Sequence, residues 1–496
     1  MDQHEQTTRS RCLAGWVVAL IVAATALPMI WFGGVRGRAG LDQLDFHEPA
    51  VRIFAYDWPN LVFGNYLSAT TPGYHVLLAA VARGGLASRE WLQSIGMLFG
   101  VALAWVLGTW FCGVSRSWLW GVSRSWLWGV LGAAVVLSSR YVYSASVWML
   151  PDNAGWLGVA LCLWLALNAR ETWRWRWCAG ASVLLIVACR QAHVWVAFPL
   201  VAAAWLSVDG RISDRLRAVM KLALACVPAM ALLGWFVWLW KGVTPPLFQA
   251  QYAPIGSTVL GMNPAAPILV LAVMGMFGVF VLPALWPDVR EAWRQRRGVV
   301  LAALAITLLL GLAPATTVSL SLGRISGIWN LCAKGPTLFG HTSVAMVAAG
   351  LLGMVVLTGL VQRLGSTRGL AILASVLGFT LAIGVSFHLW QRYVEPLVLM
   401  MLVLGVLPHS TLSRGANEPS AMPGIRSILP GVLGLLVILA FNIVSTGLMI
   451  RSSEPVERQP IDHLLQEYFG RATPAQIPRM NPGPKPDRSR PDAAGE

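Results

Sequence analysis

The stretch APILVLAVMGMFGVFVLPALW occupies residues 266–286, and PDVREAWRQRR follows directly over 287–297. An uncharged run of this length, wound as a helix at 1.5 Å per residue, spans about 30 Å, the thickness of a bilayer's hydrocarbon core. Within lipid the backbone must satisfy its own hydrogen bonds, and a helix does so inside a single segment. Arg290, Arg294, Arg296 and Arg297 then end the run, and arginines gathered at one end of an apolar helix mark the cytoplasmic side.

Outward from this segment the same alternation recurs. The chain has 496 residues, of which 56% are apolar and 12% charged, against roughly 25% charged in an average soluble domain. A water-soluble globule is excluded. The reading is an all-α polytopic membrane protein, a bundle of about 11–14 transmembrane helices with a long first extracytoplasmic loop. Spans are expected near residues 13–33, 91–112, 129–150, 153–169, 177–190, 191–207, 218–240, 266–286, 299–321, 338–361, 369–390, 393–408 and 427–449. Residues 73–87 are too short to cross and are expected to lie as an interfacial helix.

The net charge of +15 would suggest nucleic acid in a soluble protein. Here the arginines occupy short loops between apolar runs, so they read as topology and no nucleic-acid partner is expected. The basic sites are Arg9 with Arg11, Arg116 with Arg124, Arg170 to Arg176, Arg211 to Lys221, Arg290 to Arg297, and Arg363 with Arg368. They place a short segment, 1–12, in the cytoplasm, followed by a transmembrane domain over 13–450. The first apolar run, without a convincing cleavage site, is expected to be a retained anchor. The tail, 451–496, balances seven basic against seven acidic residues and is polar and Pro-rich, so it is expected to be largely disordered, apart from one short amphipathic helix over 459–470.

Seven scattered cysteines lack CxxC spacing and read as small core residues. The octapeptide GVSRSWLW occurs at 113–120 and again at 121–128, a local duplication suited to a headgroup-level loop. No phosphate-binding glycine loop, HExxH zinc motif or serine nucleophile elbow occurs. No cofactor is required by the pattern, no metal ligand set is identified, and dependence on a divalent metal is left open.

Charge returns in the loop over 34–72, where Asp42, Asp45, His47, Glu48, Arg52 and Asp57 gather on the expected outer side. Transfer of a sugar needs a carboxylate to take a proton from an acceptor hydroxyl, while a lipid phosphate departs with little acid assistance. Such acids also serve simply to solvate a loop. Ser68 to Tyr74, with Pro72, forms a turn into a helix that Thr70 or Thr71 is placed to cap. Asp152 precedes an apolar run, where an N-cap and a binding role are both open.

Arg190, Gln191 and His193 interrupt an apolar stretch. A charge at that depth requires an anionic partner, either a ligand phosphate or a structural carboxylate. Arg392 stands among aromatics in His388 to Pro396 and offers two-pronged contact to a phosphate, a lipid headgroup or Glu395. Lys334 and His341 are a weaker pair near another outer loop.

The ordered set Asp45-Phe46-His47-Glu48-Pro49, Thr70-Thr71-Pro72-Gly73-Tyr74, Asp152-Asn153-Ala154-Gly155, Arg190-Gln191-Ala192-His193 and Arg392-Tyr393 resembles the dolichyl-phosphate-glucose α-1,2-glucosyltransferases. That family carries an acidic pair before Phe-His-x-Pro, then Thr-Thr-Pro-Pro-Gly, an acid before Ala-Gly, and Arg-Gln-Thr-Asn. Here the acidic pair aligns with Gln43 and Leu44, and Asp42 and Asp45 flank it; one proline is missing and Ala192-His193 replaces Thr-Asn.

The resemblance implies a GT-C type membrane glycosyltransferase. It would move a hexose, expected to be glucose, from a polyprenyl-phosphate donor to a lipid-linked or exported acceptor with inversion, on the non-cytoplasmic face. The membrane would be the plasma membrane of a bacterium or the endoplasmic reticulum of a eukaryote. Asp45 would be the base, with His47 and Glu48 shaping the catalytic site. Arg190 and Arg392 would hold the donor phosphate, and Asp152, Thr70, Thr71 and Gln191 the acceptor. The rival class is a transporter or flippase of lipid-linked or small anionic substrates, in which Arg190 would mark the substrate path.

Overall fold

The computed structural model describes residues 3–64, 66–114, 125–250, 263–313, 327–332, 334–339, 342–385, 390–407 and 425–456. Most of the octapeptide duplication, His341, His388 and the tail beyond 456, including 459–470, lie outside the described residues. The helices are α1 Gln3–Phe32, α2 Gly37–Asp42, α3 Glu48–Asp57, α4 Gly73–Arg83, α5 Arg89–Val114, α6 Ser125–Leu137, α7 Arg140–Val147, α8 Asp152–Leu167 and α9 Trp173–Cys189. There follow α10 Ala197–Leu206, α11 Ile212–Trp240, α12 Pro246–Ala250, α13 Ala266–Gly311, α14 Ile328–Cys332, α15 Val344–Gly384, α16 Gln391–Val406 and α17 Ile425–Ser452. Two-residue strands, Thr337–Leu338 and Thr342–Ser343, pair antiparallel before α15.

The architecture is all-α and multi-pass: among the described residues, six helices are long and apolar enough to cross a membrane. Large apolar side chains stand bare on their outer faces, among them Leu20, Leu224, Leu309 and Leu448. Such a surface is stable only in an apolar solvent.

Two of the six fold back on themselves. In α13, Arg296 leaves helical geometry (φ −140°, ψ 38°), and both ends of the helix meet the start of α15: Ile268 packs on Gly350, and Gly311 on Val347. A straight helix would hold those ends about 65 Å apart, so the chain reverses at the arginine cluster. In α15 the reversal falls at Gly365, whose φ of +79° and ψ of 178° suit glycine. The expected spans 266–286, 299–321, 338–361 and 369–390 are therefore separate arms of two hairpins, as far as the described residues extend.

The bends share one end of the molecule. Gln362 donates to Gln295, Arg363 pairs with Asp288 at 2.9 Å, and Arg368 reaches the Leu167 carbonyl at the close of α8. Asp42, Asp152, Arg190 and Arg392 gather at the opposite end. Between the two ends runs one continuous apolar core contributed by α1, α5, α6, α8 to α10, α13, α15, α16 and α17.

Three expectations change. The expected span 129–150 is instead α6 and α7, bent by 83°. Ser139 supplies the reason: its hydroxyl accepts from the Tyr141 backbone N–H and donates to Glu395 at 2.6 Å, restarting the helix in a new direction. The long loop over 34–72 is largely a helical rod, in which α2 and α3 join through a π-helical turn at Gln43–His47. Pro49 explains the turn, because it has no N–H for the Asp45 carbonyl and its ring crowds that carbonyl; widening the turn relieves both. Finally, the stretch 191–207 opens as a 3-10 turn, Gln191–Val196, before α10 begins.

Candidate functional site

The rod α2–α3 carries Asp42 and His47 to the end of the bundle where α8 begins, α9 ends and α16 begins. Asp42 Oδ2 lies 2.6 Å from Arg392 Nη1. Asp152, the first residue of α8, lies 2.9 Å from Arg190 Nη1, and this second pair is nearly sealed, with side chains 6% and 11% exposed. The Tyr393 ring joins the pairs: the Arg190 guanidinium sits 5.1 Å from its centroid and that of Arg392 5.0 Å. Arg392 also donates to the Tyr393 hydroxyl at 3.0 Å and covers Trp390 at 4.1 Å. Cations over aromatic faces are held without losing their hydrogen-bonding edge.

Local structure explains why these side chains converge. Arg190 ends α9 in an extended conformation (φ −161°, ψ 81°), so its side chain turns toward α8 instead of continuing along the helix. Gly155 provides the room, since a Cβ there would fall 2.8 Å from both Arg190 Cδ and His193 Cδ2. Asp152 occupies the positive end of the α8 dipole. His47 lies within electrostatic reach of Asp42, Asp152, Arg190 and Arg392, and burial, outweighing the two carboxylates, lowers its pKa to about 4.

Both arginines keep an unused donor. The Nε groups of Arg190 and Arg392 are buried without an acceptor among the described residues. A buried N–H without a partner costs about 1–3 kcal/mol, and each of the two arginines carries that cost at the site.

The structure separates the expected site residues into two groups. Arg190, Arg392, Asp152 and His47 come together. Glu48 turns elsewhere: fully buried, it is held by Arg89 at 2.8 Å, Arg52 at 3.2 Å and Gln43 at 3.2 Å. Gln191 stitches the backbone, accepting from Thr71 N–H and donating to the Ala69 and Val243 carbonyls. Thr71 donates to the Val187 carbonyl at 2.5 Å, and α4 has no side-chain cap, so neither Thr70 nor Thr71 caps it. Asp152 likewise makes no capping bond. Asp45 is half-buried one turn beyond Asp42, and Asp42 is the carboxylate that meets Arg392. Glu395 does not pair with Arg392; it accepts from Ser139 and Gln391.

Sequence reasoning passed over Tyr66 and His75. His75 bonds His47, Nε2 to Nδ1, at 2.8 Å with the rings stacked, and its Nδ1 meets the Tyr66 hydroxyl. The only signal was a histidine on the apolar face of a short helix. Among the described residues no group of three His, Cys, Asp or Glu side chains is arranged to hold a metal.

Fold and cluster together define a polytopic helical membrane protein with a paired-arginine site at the end of its bundle away from the basic bends. Compared with known proteins, the chain matches no family model and no curated protein.

Proposed function

We propose that this cluster grips the phosphate of a polyprenyl-phosphate sugar and that the protein transfers the hexose, glucose by its resemblance to the glucosyltransferases, to a lipid-linked or exported acceptor. The observation that carries the reading is the pair of buried arginines, Arg190 and Arg392, flanking Tyr393, each with an unused Nε–H. Two guanidiniums, each with an Nε–H not spent on a partner, suit a phosphate, whose charge grows as the glycosidic bond breaks. With the basic bends in the cytoplasm, the cluster faces the opposite side.

On this reading a carboxylate takes the proton of the acceptor hydroxyl and the oxygen attacks the sugar's C1 from the face opposite the phosphate. The C1–O bond breaks and its electron pair leaves on the phosphate, held by the arginines. Asp42 replaces Asp45 as the base we favour. A donor phosphate seated on Arg392 would compete with Asp42 for that guanidinium and free the carboxylate for the proton. Asp152 keeps Arg190 in place and contacts the acceptor.

The donor's isoprenoid chain has a candidate seat in a lipid-facing crevice between α7 and α17, lined by Arg140, Phe441, Val444, Leu448 and Ser452. Arg140 stacks on Tyr141, and Tyr141 lies within electrostatic reach of Arg392.

With purified protein, a polyprenyl-phosphate glucose donor and its lipid-linked acceptor, Asp42→Asn is expected to slow transfer on the order of 100-fold, the worth of a general base. Wild-type turnover by Asp42→Asn together with loss in Asp45→Asn returns the base to Asp45. Undiminished transfer by Arg392→Gln removes the phosphate assignment. Substrate flux without a new glycosidic bond would make the protein a transporter.

A further inference from the structure

Tyr66, His75 and His47 form a row of hydrogen-bonded groups leading from the interior to the cluster. Tyr66 is 2% exposed, His75 fully buried and His47 9% exposed. The Ser68 and Thr70 hydroxyls bond to one another at 3.1 Å beside Tyr66. The Tyr66 hydroxyl meets His75 Nδ1, and of these two neutral groups the phenol is the stronger donor and the imidazole nitrogen the stronger acceptor, so the phenol hydrogen is directed to Nδ1.

A neutral imidazole carries one N–H, so His75, accepting at Nδ1, holds its hydrogen on Nε2. That atom faces His47 Nδ1 at 2.8 Å, so His47 accepts there and keeps its own hydrogen on Nε2, directed away from His75. Burial favours the neutral ring in both, with the His75 value well below the ordinary one and that of His47 about 4. The charged groups around His47 are Asp42 from α2, Asp152 from α8, Arg190 after α9 and Arg392 from α16.

We infer that Tyr66 and His75 are positioning residues that lock His47 as the Nε2–H tautomer, so that His47 presents a hydrogen-bond donor to an anionic oxygen in the arginine cluster and does not serve as the base. The role of that donor rests on the transferase reading, in which the oxygen belongs to the donor phosphate or to Asp42. The tautomer itself does not.

The test is 15N NMR of the full-length protein, labelled at histidine and held in lipid nanodiscs at neutral pH, with His47 and His75 signals assigned through His47→Gln and His75→Gln. Wild-type protein is expected to show His47 protonated at Nε2 alone. Tyr66→Phe keeps the ring that stacks on Phe54 at 5.3 Å and removes only the hydroxyl; the His47 signals are then expected to shift toward a mixture of tautomers. A wild-type His47 protonated at Nδ1, or Tyr66→Phe spectra identical to wild type, overturns the inference. The wild-type spectrum decides the tautomer even if the variant fails to fold.

Activity separates the two levels. If the protein transfers sugar, Tyr66→Phe is expected to lower kcat about tenfold, the effect of one hydrogen bond to a charged group, with KM for the acceptor unchanged. An Nε2–H His47 in a protein that transfers no sugar keeps the tautomer and discards the transferase. Transfer with an Nδ1–H His47 does the reverse.

Discussion

At the scale of single residues, the site is made of charges that burial would forbid unless each had a partner. Arg190 was expected to need an anion, and in the folded chain Asp152 supplies it at 2.9 Å; Arg392 finds Asp42 across 350 residues of sequence. His47 has no such compensation strong enough to charge it. Burial lowers its folded pKa to about 4, below the roughly 6.5 of the unfolded chain. As pH falls, the unfolded state takes the proton first, so the stability contributed is complete above about 6.5 and is lost on descending toward 4. The loss amounts to roughly 3 kcal/mol at most. Thermal melts of the solubilised protein at pH 7 and 4.5 should therefore show a larger drop for wild type than for His47→Gln, and equal drops would remove the assignment.

At the scale of elements, close helix packing holds the two hairpins together. A Cβ at Gly353 would lie 1.9 Å from the Leu271 carbonyl oxygen, and one at Gly275 2.0 Å from that of Ala349. These are backbone contacts that cannot swing aside, the small-residue packing typical of helices in lipid. Gly353→Ala is expected to destabilise the protein by about 1–3 kcal/mol. Gly298→Ala, in α13 with nothing within 4 Å, is expected to be neutral or to stabilise by up to about 1 kcal/mol. Thermal melts of the two variants compare them directly. The rod α2–α3 shows the same economy of cause: Pro49 in the middle of a helix forces the π turn, and that turn carries His47 at its close.

At the scale of the whole molecule, the basic bends lie at one end and the arginine cluster at the other, which gives a prediction about sidedness. In a protein stripped of its native cysteines, Asn60→Cys, in the exposed turn after α3, is expected to react with an impermeant maleimide applied from the non-cytoplasmic side. Gln295→Cys, at the α13 bend, is expected to react only after permeabilisation. Labelling in the opposite sense would put the cluster in the cytoplasm, where an externally delivered lipid-phosphate sugar could not reach it.

The chain's own letters determined that it is helical and multi-pass, because apolar length is a property of contiguous residues; the orientation expected from its arginines is what the labelling tests. They also pointed to Asp152, Arg190 and Arg392, since a charge set in an apolar run stands out locally. Only the folded chain decided which carboxylate meets which arginine, that Glu48 and Gln191 are occupied in holding the scaffold, and that His75 and Tyr66 stand behind His47. The physical reason is distance along the chain: a pairing such as Asp42 with Arg392 is a contact between elements that no local periodicity encodes, and it exists only once the bundle has brought its helix ends together.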